Sequence, residues 1–152
     1  MRQDVFVSGR PIGLEVRAAA KTLSRAFDAE LAAGGGTQPM WLILLALKQE
    51  PRRSQLELAR AIGIGNPTLT RHLDGLERAG LLTRVRDADD RRNSHVTLTD
   101  AGEAAFHRLR ERAMRFDRRL RGGFSDEELS QLRRSLARLV GNASGAPATG
   151  TS

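Results

Sequence analysis

The fold is decided by residues 54–99, which read SQLELARAIGIGNPTLTRHLDGLERAGLLTRVRDADDRRNSHVTLT. Ser54 and Glu57 have the spacing of a capping box, in which each side chain binds a free backbone N–H group at a helix start. This spacing predicts a helix that runs to Ile62. The two glycines of residues 63–65 then predict a tight turn, because glycine adopts backbone angles that other residues avoid.

A second helix is predicted directly after this turn. Asn66 and Pro67 suit the cap and the first position of that helix, which we expect to end before Gly80. Its apolar residues recur at the spacing of one helical face: Leu69, Leu73 and Leu76. Two short helices around a tight turn are typical of a helix-turn-helix.

Two short strands are predicted next, at residues 81–87 and 94–99, since both segments partly alternate apolar and polar residues. We expect matching faces of the two strands to carry Thr83 with Val85 and Val96 with Leu98. Residues 88–93 form the polar tip of the hairpin. A helix-turn-helix followed by such a hairpin has the order of a winged helix-turn-helix, whose second helix enters the DNA major groove.

Amphipathic helices are predicted before this stretch, where apolar residues recur every three or four positions. The first spans residues 12–31, and the glycines of residues 34–36 supply a turn. Thr37 then caps an apolar helix that has Pro39 in its first turn and stops before Pro51.

Two further amphipathic helices are predicted after the hairpin. Asp100 with Glu103, and Ser125 with Glu128, have the capping-box spacing. The apolar seams of these helices are Phe106, Leu109, Ala113, Phe116 and Leu120, followed by Leu129, Leu132, Leu136 and Leu139.

The expected fold is therefore mainly α with a small β-hairpin wing. We expect residues 11–36 and 101–140 to form a dimerisation domain, and residues 37–100 to form the winged helix-turn-helix lobe. The flanking helices carry more apolar face than one small lobe can cover, and isologous pairing is the usual solution; a monomeric helical bundle is the alternative. Residues 1–10 and 141–152 are predicted to be flexible tails.

Length and composition exclude several classes of protein. A chain of 152 residues, 39% apolar and 28% charged, is typical of one ordinary globular domain. The chain has no run of about 18 apolar residues for a membrane span, no signal pattern at its start, and no cysteine for a disulfide or a Cys-ligated metal. We therefore expect a cytoplasmic protein with no membrane association, no cofactor and no metal.

The charge is basic, with 25 basic and 18 acidic residues and a net charge of +7. Arginine accounts for 23 of the 25, and its planar fork of donors suits phosphate and base edges. The surplus is not concentrated in the predicted lobe: residues 37–100 carry 10 basic and 8 acidic side chains, against 10 and 6 in residues 101–152. DNA binding by this lobe therefore depends on where individual arginines point.

The second helix of the lobe places Arg71 on its outer face, with Asp74 and Arg78, when its leucines face inward. Arg71 is predicted to read a base edge, because its fork matches the two acceptors of guanine. Thr68 and Thr70 lie near the helix start, where backbone N–H groups favour phosphate. The alternative is a solvated helix face whose charges pair with one another.

Two other polar sites are open to more than one interpretation. His72 is expected to be a partly buried packing residue or a phosphate contact. At the hairpin tip, Asp90 would hold one of Arg91 and Arg92 and leave the other free to enter a minor groove, whose narrow walls concentrate negative potential. The alternative for the tip is a solvated turn.

The chain resembles the MarR family of bacterial transcription regulators, particularly its SlyA branch, from about Pro11 to Val140. The resemblance rests on Thr37, Gln38, Trp41, residues 61–64, Pro67, Leu69, Arg71, Leu73, Asp74, Leu76, Glu77, Gly80, Leu81, Arg84, residues 90–92, Leu98 and Thr99. It implies an obligate homodimer with intertwined outer helices, which binds double-stranded DNA at the two half-sites of a pseudo-palindromic operator.

The resemblance also implies site residues. Arg71 matches the family's base reader and Arg91 its minor-groove arginine, which leaves a structural role for Arg92. The full set of expected DNA-binding residues is Ser54, Asn66, Thr68, Thr70, Arg71, Arg84, Arg91 and Arg92. The family binds small aromatic acids between its dimerisation and DNA-binding parts, which implies ligand-binding residues at Arg17, Thr37 and Trp41.

The chain departs from the family pattern at residues 34–36, where glycines replace a more usual apolar segment, and at Ser94 and His95, where basic residues are more usual. The absence of cysteine excludes regulation by thiol oxidation.

Two other classes of function are the alternatives. An enzyme would need acid-base groups such as Asp89 with Asp90, or His95 with Asp100, but the pattern offers no orienting partner, metal-ligand spacing or phosphate-binding loop. We therefore predict no enzymatic activity and no catalytic residue. The other alternative is a winged-helix protein-interaction module without sequence-specific DNA binding, against which the polar outer face of the second helix argues.

Overall fold

Six helices and three short strands are formed by the residues that the computed structural model describes, which are 9–51, 53–86 and 94–145. The helices are α1 Ile12–Ala33, α2 Gln38–Gln49, α3 Gln55–Ile62, α4 Asn66–Arg78, α5 Asp100–Arg121 and α6 Asp126–Ala143. The strands are β1 Arg53–Ser54, β2 Leu82–Arg86 and β3 Ser94–Leu98. Helices α3 and α4 followed by the β2–β3 hairpin, called the wing below, confirm the predicted winged helix-turn-helix. The chain divides into two compact units after Phe116.

Helix α3 begins at the predicted capping box. The Ser54 hydroxyl accepts a hydrogen bond from the Glu57 backbone N–H at 3.2 Å, and the Glu57 carboxylate accepts one from the Ser54 backbone N–H at 2.8 Å. Gly63 ends the helix in the left-handed region, at φ +71°, which glycine adopts without a Cβ penalty. The local signals around the turn were therefore predicted correctly.

Helix α4 starts one residue earlier than the sequence predicts. Gly65 occupies the N-cap position, so Asn66 and Pro67 are the first two helical residues. The prediction of Asn66 as the cap was wrong, because its side chain bonds a residue of α3 instead. Gln55 Nε2 donates a hydrogen bond to Asn66 Oδ1 at 2.9 Å.

The cap of helix α5 was also assigned to the wrong residue. The Thr99 hydroxyl accepts a hydrogen bond from the Gly102 backbone N–H at 3.1 Å and donates one to the Gly80 carbonyl oxygen at 2.6 Å. Glu103, expected to act in a capping box with Asp100, forms an ion pair with Lys48 at 2.9 Å. The Glu103 carboxylate therefore bonds a residue that is distant in sequence.

The sheet has the strand order β1-β3-β2, with both pairs antiparallel. Thr83 pairs with Thr97, and their hydroxyl oxygens lie 2.9 Å apart, while Leu82 pairs with Leu98. Paired residues share a face, so the expected match of Thr83 and Val85 with Val96 and Leu98 was wrong by one residue of register. Strand β1 was not predicted, because two residues are too few to show alternation.

Two apolar clusters form the core of the first unit. One holds α2, α3, α4 and the sheet together: Ile43, Ala46, Leu47, Leu58, Ala59, Leu69, Leu73, Leu82 and Val96. The other joins α1, α2 and α5: Leu31, Leu44, Ala105, Phe106 and Leu109. Leu69 and Leu73 are fully buried and Leu76 partly buried, which confirms the predicted inner face of α4.

Helix α6, in the second unit, begins at the predicted capping box of Ser125 and Glu128. The helix continues through Gly141, where the sequence predicts the start of a flexible tail, and ends at Ala143. No residue of α6 is buried within the single chain. Its apolar face is therefore left open to solvent.

Candidate nucleic-acid interface

Arg71 lies on the exposed face of α4. Leu69 and Leu73 are fully buried and set the rotation of the helix about its axis, so Arg71 points away from the core. Its guanidinium makes no hydrogen bond or ion pair with the residues that the structure describes. The predicted outward position of Arg71 is confirmed, and its guanidinium is accessible to an acceptor outside the chain.

The first turn of α4 is held by a network that includes two predicted DNA contacts. Gln55 Nε2 donates hydrogen bonds to Asn66 Oδ1 at 2.9 Å and to the Thr70 hydroxyl at 2.6 Å. The Thr70 hydroxyl in turn donates to the Asn66 carbonyl oxygen at 2.9 Å. Gln55 therefore links α4 to α3. A single glutamine at a helix start does not predict this role from the sequence.

Thr68 and Ser54, two other predicted DNA contacts, differ in whether the side chain already has a partner within the protein. Thr68 is exposed in the first turn of α4. The Ser54 hydroxyl caps α3 through its bond with the Glu57 backbone N–H. The Glu57 carboxylate in return accepts a hydrogen bond from the Ser54 backbone N–H, and chiefly this second bond holds the pKa of Glu57 below its ordinary value.

Arg84, on strand β2, is held by two carboxylates of α4. Its Nη2 lies 2.6 Å from Glu77 Oε2 and 2.5 Å from Asp74 Oδ1, and its Nε lies 3.0 Å from Glu77 Oε2. The Arg84 backbone N–H also donates to Glu77 Oε1 at 3.2 Å. These bonds hold the pKa of Glu77 below its ordinary value and raise the pKa of Arg84.

A groove of about 270 Å³ lies between the start of α2 and helix α4. Its lining residues are Thr37, Met40, Arg71, His72, Gly75 and Leu76. His72 is partly buried there, as expected. Arg71 borders both this groove and the exposed face of α4.

Of the three predicted ligand-binding residues, Thr37 lines the groove. Trp41 is partly buried and stacks on Phe106, with ring centroids 5.7 Å apart and planes inclined by 7°. Arg17 is exposed on α1. Of the predicted ligand residues, the groove is therefore lined by Thr37, together with Arg71 and His72. Trp41 lies one turn further along α2, against Phe106.

The predicted wing-tip residues Asp90, Arg91 and Arg92 lie in residues 87–93, outside the described part of the chain. Elsewhere, over residues 9–51, 53–86 and 94–145, no group of three or more His, Asp or Glu side chains is placed to hold a metal ion. None of the helices in this described part of the chain combines the length and the apolar composition that a membrane span requires.

A helix-turn-helix with a free arginine on its second helix and a wing beside it defines the class of winged helix-turn-helix DNA-binding proteins. The MarR family model matches residues 37–94. The transcriptional repressor CouR, solved bound to a 23-mer DNA duplex, is 30% identical with a TM-score of 0.77, over 86% of this chain and 92% of that chain. The chain belongs to the MarR family and is a DNA-binding transcription regulator.

Two other solved structures are similar over nearly their whole length. The PcaV transcriptional regulator from Streptomyces coelicolor, in complex with its natural ligand, is 25% identical with a TM-score of 0.74, over 90% of this chain and 99% of that chain. A probable transcriptional regulator from Pseudomonas aeruginosa is 26% identical with a TM-score of 0.71, over 85% and 99%. The predicted family is confirmed, and the SlyA branch stays a prediction.

Proposed function

We propose that the protein binds a pseudo-palindromic operator in double-stranded DNA as a homodimer. Helix α4, the recognition helix, enters the major groove of each half-site, and Arg71 reads a base edge there. The observation that carries the proposal is Arg71 itself, exposed and without a described partner on a helix whose other face is buried. A regulator of bacterial operators acts where the chromosome is, in the cytoplasm.

Guanine is the base that we expect Arg71 to read. The guanidinium fork matches the O6 and N7 acceptors of guanine in the major groove, and this pairing discriminates by about 1–3 kcal/mol. Thr68, exposed in the first turn of α4, lies where backbone N–H groups and the helix dipole attract a phosphate. Arg91 of the wing tip would enter the adjacent minor groove.

The proposal of a homodimer is supported by apolar side chains that one chain leaves uncovered. Helix α1 exposes Ile12, Val16 and Leu23 along one face. Helix α6 exposes Leu132, Leu136 and Val140, the last by 66%. Contiguous apolar faces of this kind are usually covered in an oligomer, and a two-fold dimer covers the same face on both chains.

We also propose that the groove between α2 and α4 binds a small aromatic carboxylate. Its volume suits a molecule with a single ring, Met40 and Leu76 offer apolar contact, and the Arg71 guanidinium is a partner for a carboxylate. A ligand held by Arg71 competes with the base that Arg71 would otherwise read. Occupation of the groove would therefore release the operator.

Selection of bound sequences from a random DNA pool tests the main proposal. We expect a motif with two-fold symmetry and a guanine at the same position of each half-site. A winged-helix protein-interaction module would recover no motif, and that result would overturn the proposal. The recovered motif then serves as the operator in the experiments below.

A further inference from the structure

We propose that Arg84 is a positioning residue, which fixes the wing against the recognition helix and does not itself contact DNA. This inference rests on the proposed function, since it concerns how the two DNA-binding elements are held relative to each other. It differs from the expectation drawn from the sequence, in which Arg84 was one of the DNA contacts.

The first support is the geometry of the link. Asp74 and Glu77 are three residues apart, so their carboxylates lie on one face of α4, and the Arg84 guanidinium bonds both. Glu77 also accepts the Arg84 backbone N–H, through its second oxygen. Strand β2 therefore cannot slide along α4 without breaking a main-chain and a side-chain bond at once.

The second support is that the guanidinium of Arg84 is already hydrogen-bonded within the protein. Its side chain is only 22% exposed, and its Nε and Nη2 groups both donate to carboxylates of the same protein. Arg71, by contrast, is exposed and has no described partner. A phosphate could approach the Arg84 guanidinium only through Nη1, because carboxylates already accept the charge-assisted hydrogen bonds of Nε and Nη2.

The third support is the register of the sheet. Arg84 pairs with Val96 on β3, and Val96 is fully buried in the cluster that includes Leu69 and Leu73 of α4. Residues that oppose each other in an antiparallel pair point to the same face. Arg84 therefore joins its strand to α4 on the face of the sheet that packs on that helix, and the position of the wing depends on it.

The sign of a charge change separates positioning from DNA contact. Glu77→Gln removes a negative charge near the recognition helix, which by electrostatics alone would strengthen binding to the phosphate backbone. If Glu77 anchors Arg84, the same change loosens the wing and weakens binding. Asp28→Asn, at an exposed carboxylate of α1, is the matched control for the change of charge.

Operator affinity is measured by fluorescence anisotropy across a range of salt concentrations, at a temperature where thermal melts show each variant fully folded. We expect Glu77→Gln and Arg84→Ala each to weaken binding about tenfold. We expect the slope of log affinity against log salt to stay unchanged in both, because no phosphate contact is lost. Asp28→Asn should bind as well as the wild type or slightly better.

Two further variants test the mechanism of the link. The double variant Glu77→Gln/Arg84→Ala should bind no more weakly than Arg84→Ala alone, because both changes break one link. Arg84→Lys keeps the charge but lacks the fork that spans two carboxylates, so we expect it to bind as poorly as Arg84→Ala.

The inference is overturned if Glu77→Gln binds the operator as well as or better than Asp28→Asn, if Arg84→Lys restores full affinity, or if Arg84→Ala lowers the salt slope by about one unit. These results would leave a recovered two-fold motif intact, so only the role of Arg84 would fall. A selection that recovers no motif would instead overturn the proposed function.

Discussion

Gly102 lies directly against the carbonyl group of Leu81. A Cβ at residue 102 would stand 1.9 Å from the Leu81 carbonyl oxygen and 3.3 Å from Leu98 Cδ2. The oxygen cannot easily move, since it accepts a hydrogen bond from the Thr99 backbone N–H at 3.1 Å. Helix α5 can therefore pack beside β2 only if residue 102 has no side chain.

Gly102→Ala is expected to lower the free energy of unfolding by about 1–3 kcal/mol, the usual cost of overpacking. Gly75→Ala is the matched control, because nothing lies within 4 Å of a Cβ at that position in α4. Alanine should stabilise that helix by about 0.5–1 kcal/mol. Urea denaturation at one fixed protein concentration measures both, and equal effects would contradict the close approach.

Arg71→Ala is expected to cost about 1–3 kcal/mol of operator binding per half-site and to relax the preference at one base position. Arg110→Ala, at an exposed arginine of α5, removes the same charge away from the recognition helix. Anisotropy with the selected operator and with single-base variants of it measures both effects. An equal loss in the two variants, with base preference unchanged, would show that Arg71 contributes charge alone.

Leu136→Lys is expected to shift the protein from dimer to monomer, because it places a charge in the middle of the open apolar face of α6. Ala137→Lys adds the same charge at the neighbouring exposed position and should leave the dimer intact. Equilibrium sedimentation distinguishes the two. A wild-type monomer at tens of micromolar, roughly the upper end of such affinities, would overturn the proposed architecture.

Salicylate-like acids are expected to weaken operator binding and to change the fluorescence of Trp41, the one tryptophan of the chain, in a saturable way. Trp41 follows Met40, which lines the groove, so it reports on occupation indirectly. Gly75→Leu should fill the groove from α4 and abolish both effects. Unaltered fluorescence and DNA affinity in the wild type would rule out this class of ligand.

Acid is expected to lower the stability of the helix starts. The pKa values of Glu57 and Glu128 are held below their ordinary value of 4.5, chiefly because each carboxylate accepts a hydrogen bond from a backbone N–H group. Their stabilisation is present above the ordinary pKa and is lost as the pH falls through the lowered one.

Glu128→Gln tests this pH dependence in α6. The melting temperature of the variant should lie below that of the wild type at pH 7, and the difference should shrink as the pH falls below the ordinary pKa. Glu111→Gln, an exposed substitution within α5, is the control for lost charge. A difference that stays constant down to strongly acidic pH would contradict the capping role of the carboxylate.

The sequence by itself determined the features that depend on residues within about four positions of one another. The capping boxes at Ser54 and Ser125, the turn at Gly63 and the inward leucines of α4 all have this range. Each is a hydrogen bond or an apolar spacing that forms within one helix turn. The order of these elements was enough to predict the winged helix-turn-helix and the exposed position of Arg71.

Only the tertiary structure decided which polar groups bond to each other over longer distances. Glu103 forms an ion pair with Lys48 of another helix. Gln55 donates a hydrogen bond to Asn66, the residue expected to cap α4. Arg84 is bound by two carboxylates of α4. A charged or amide side chain binds whichever partner the packed core brings within about 3 Å. The partner is set by how α3, α4 and the wing pack, and the local sequence does not contain that information.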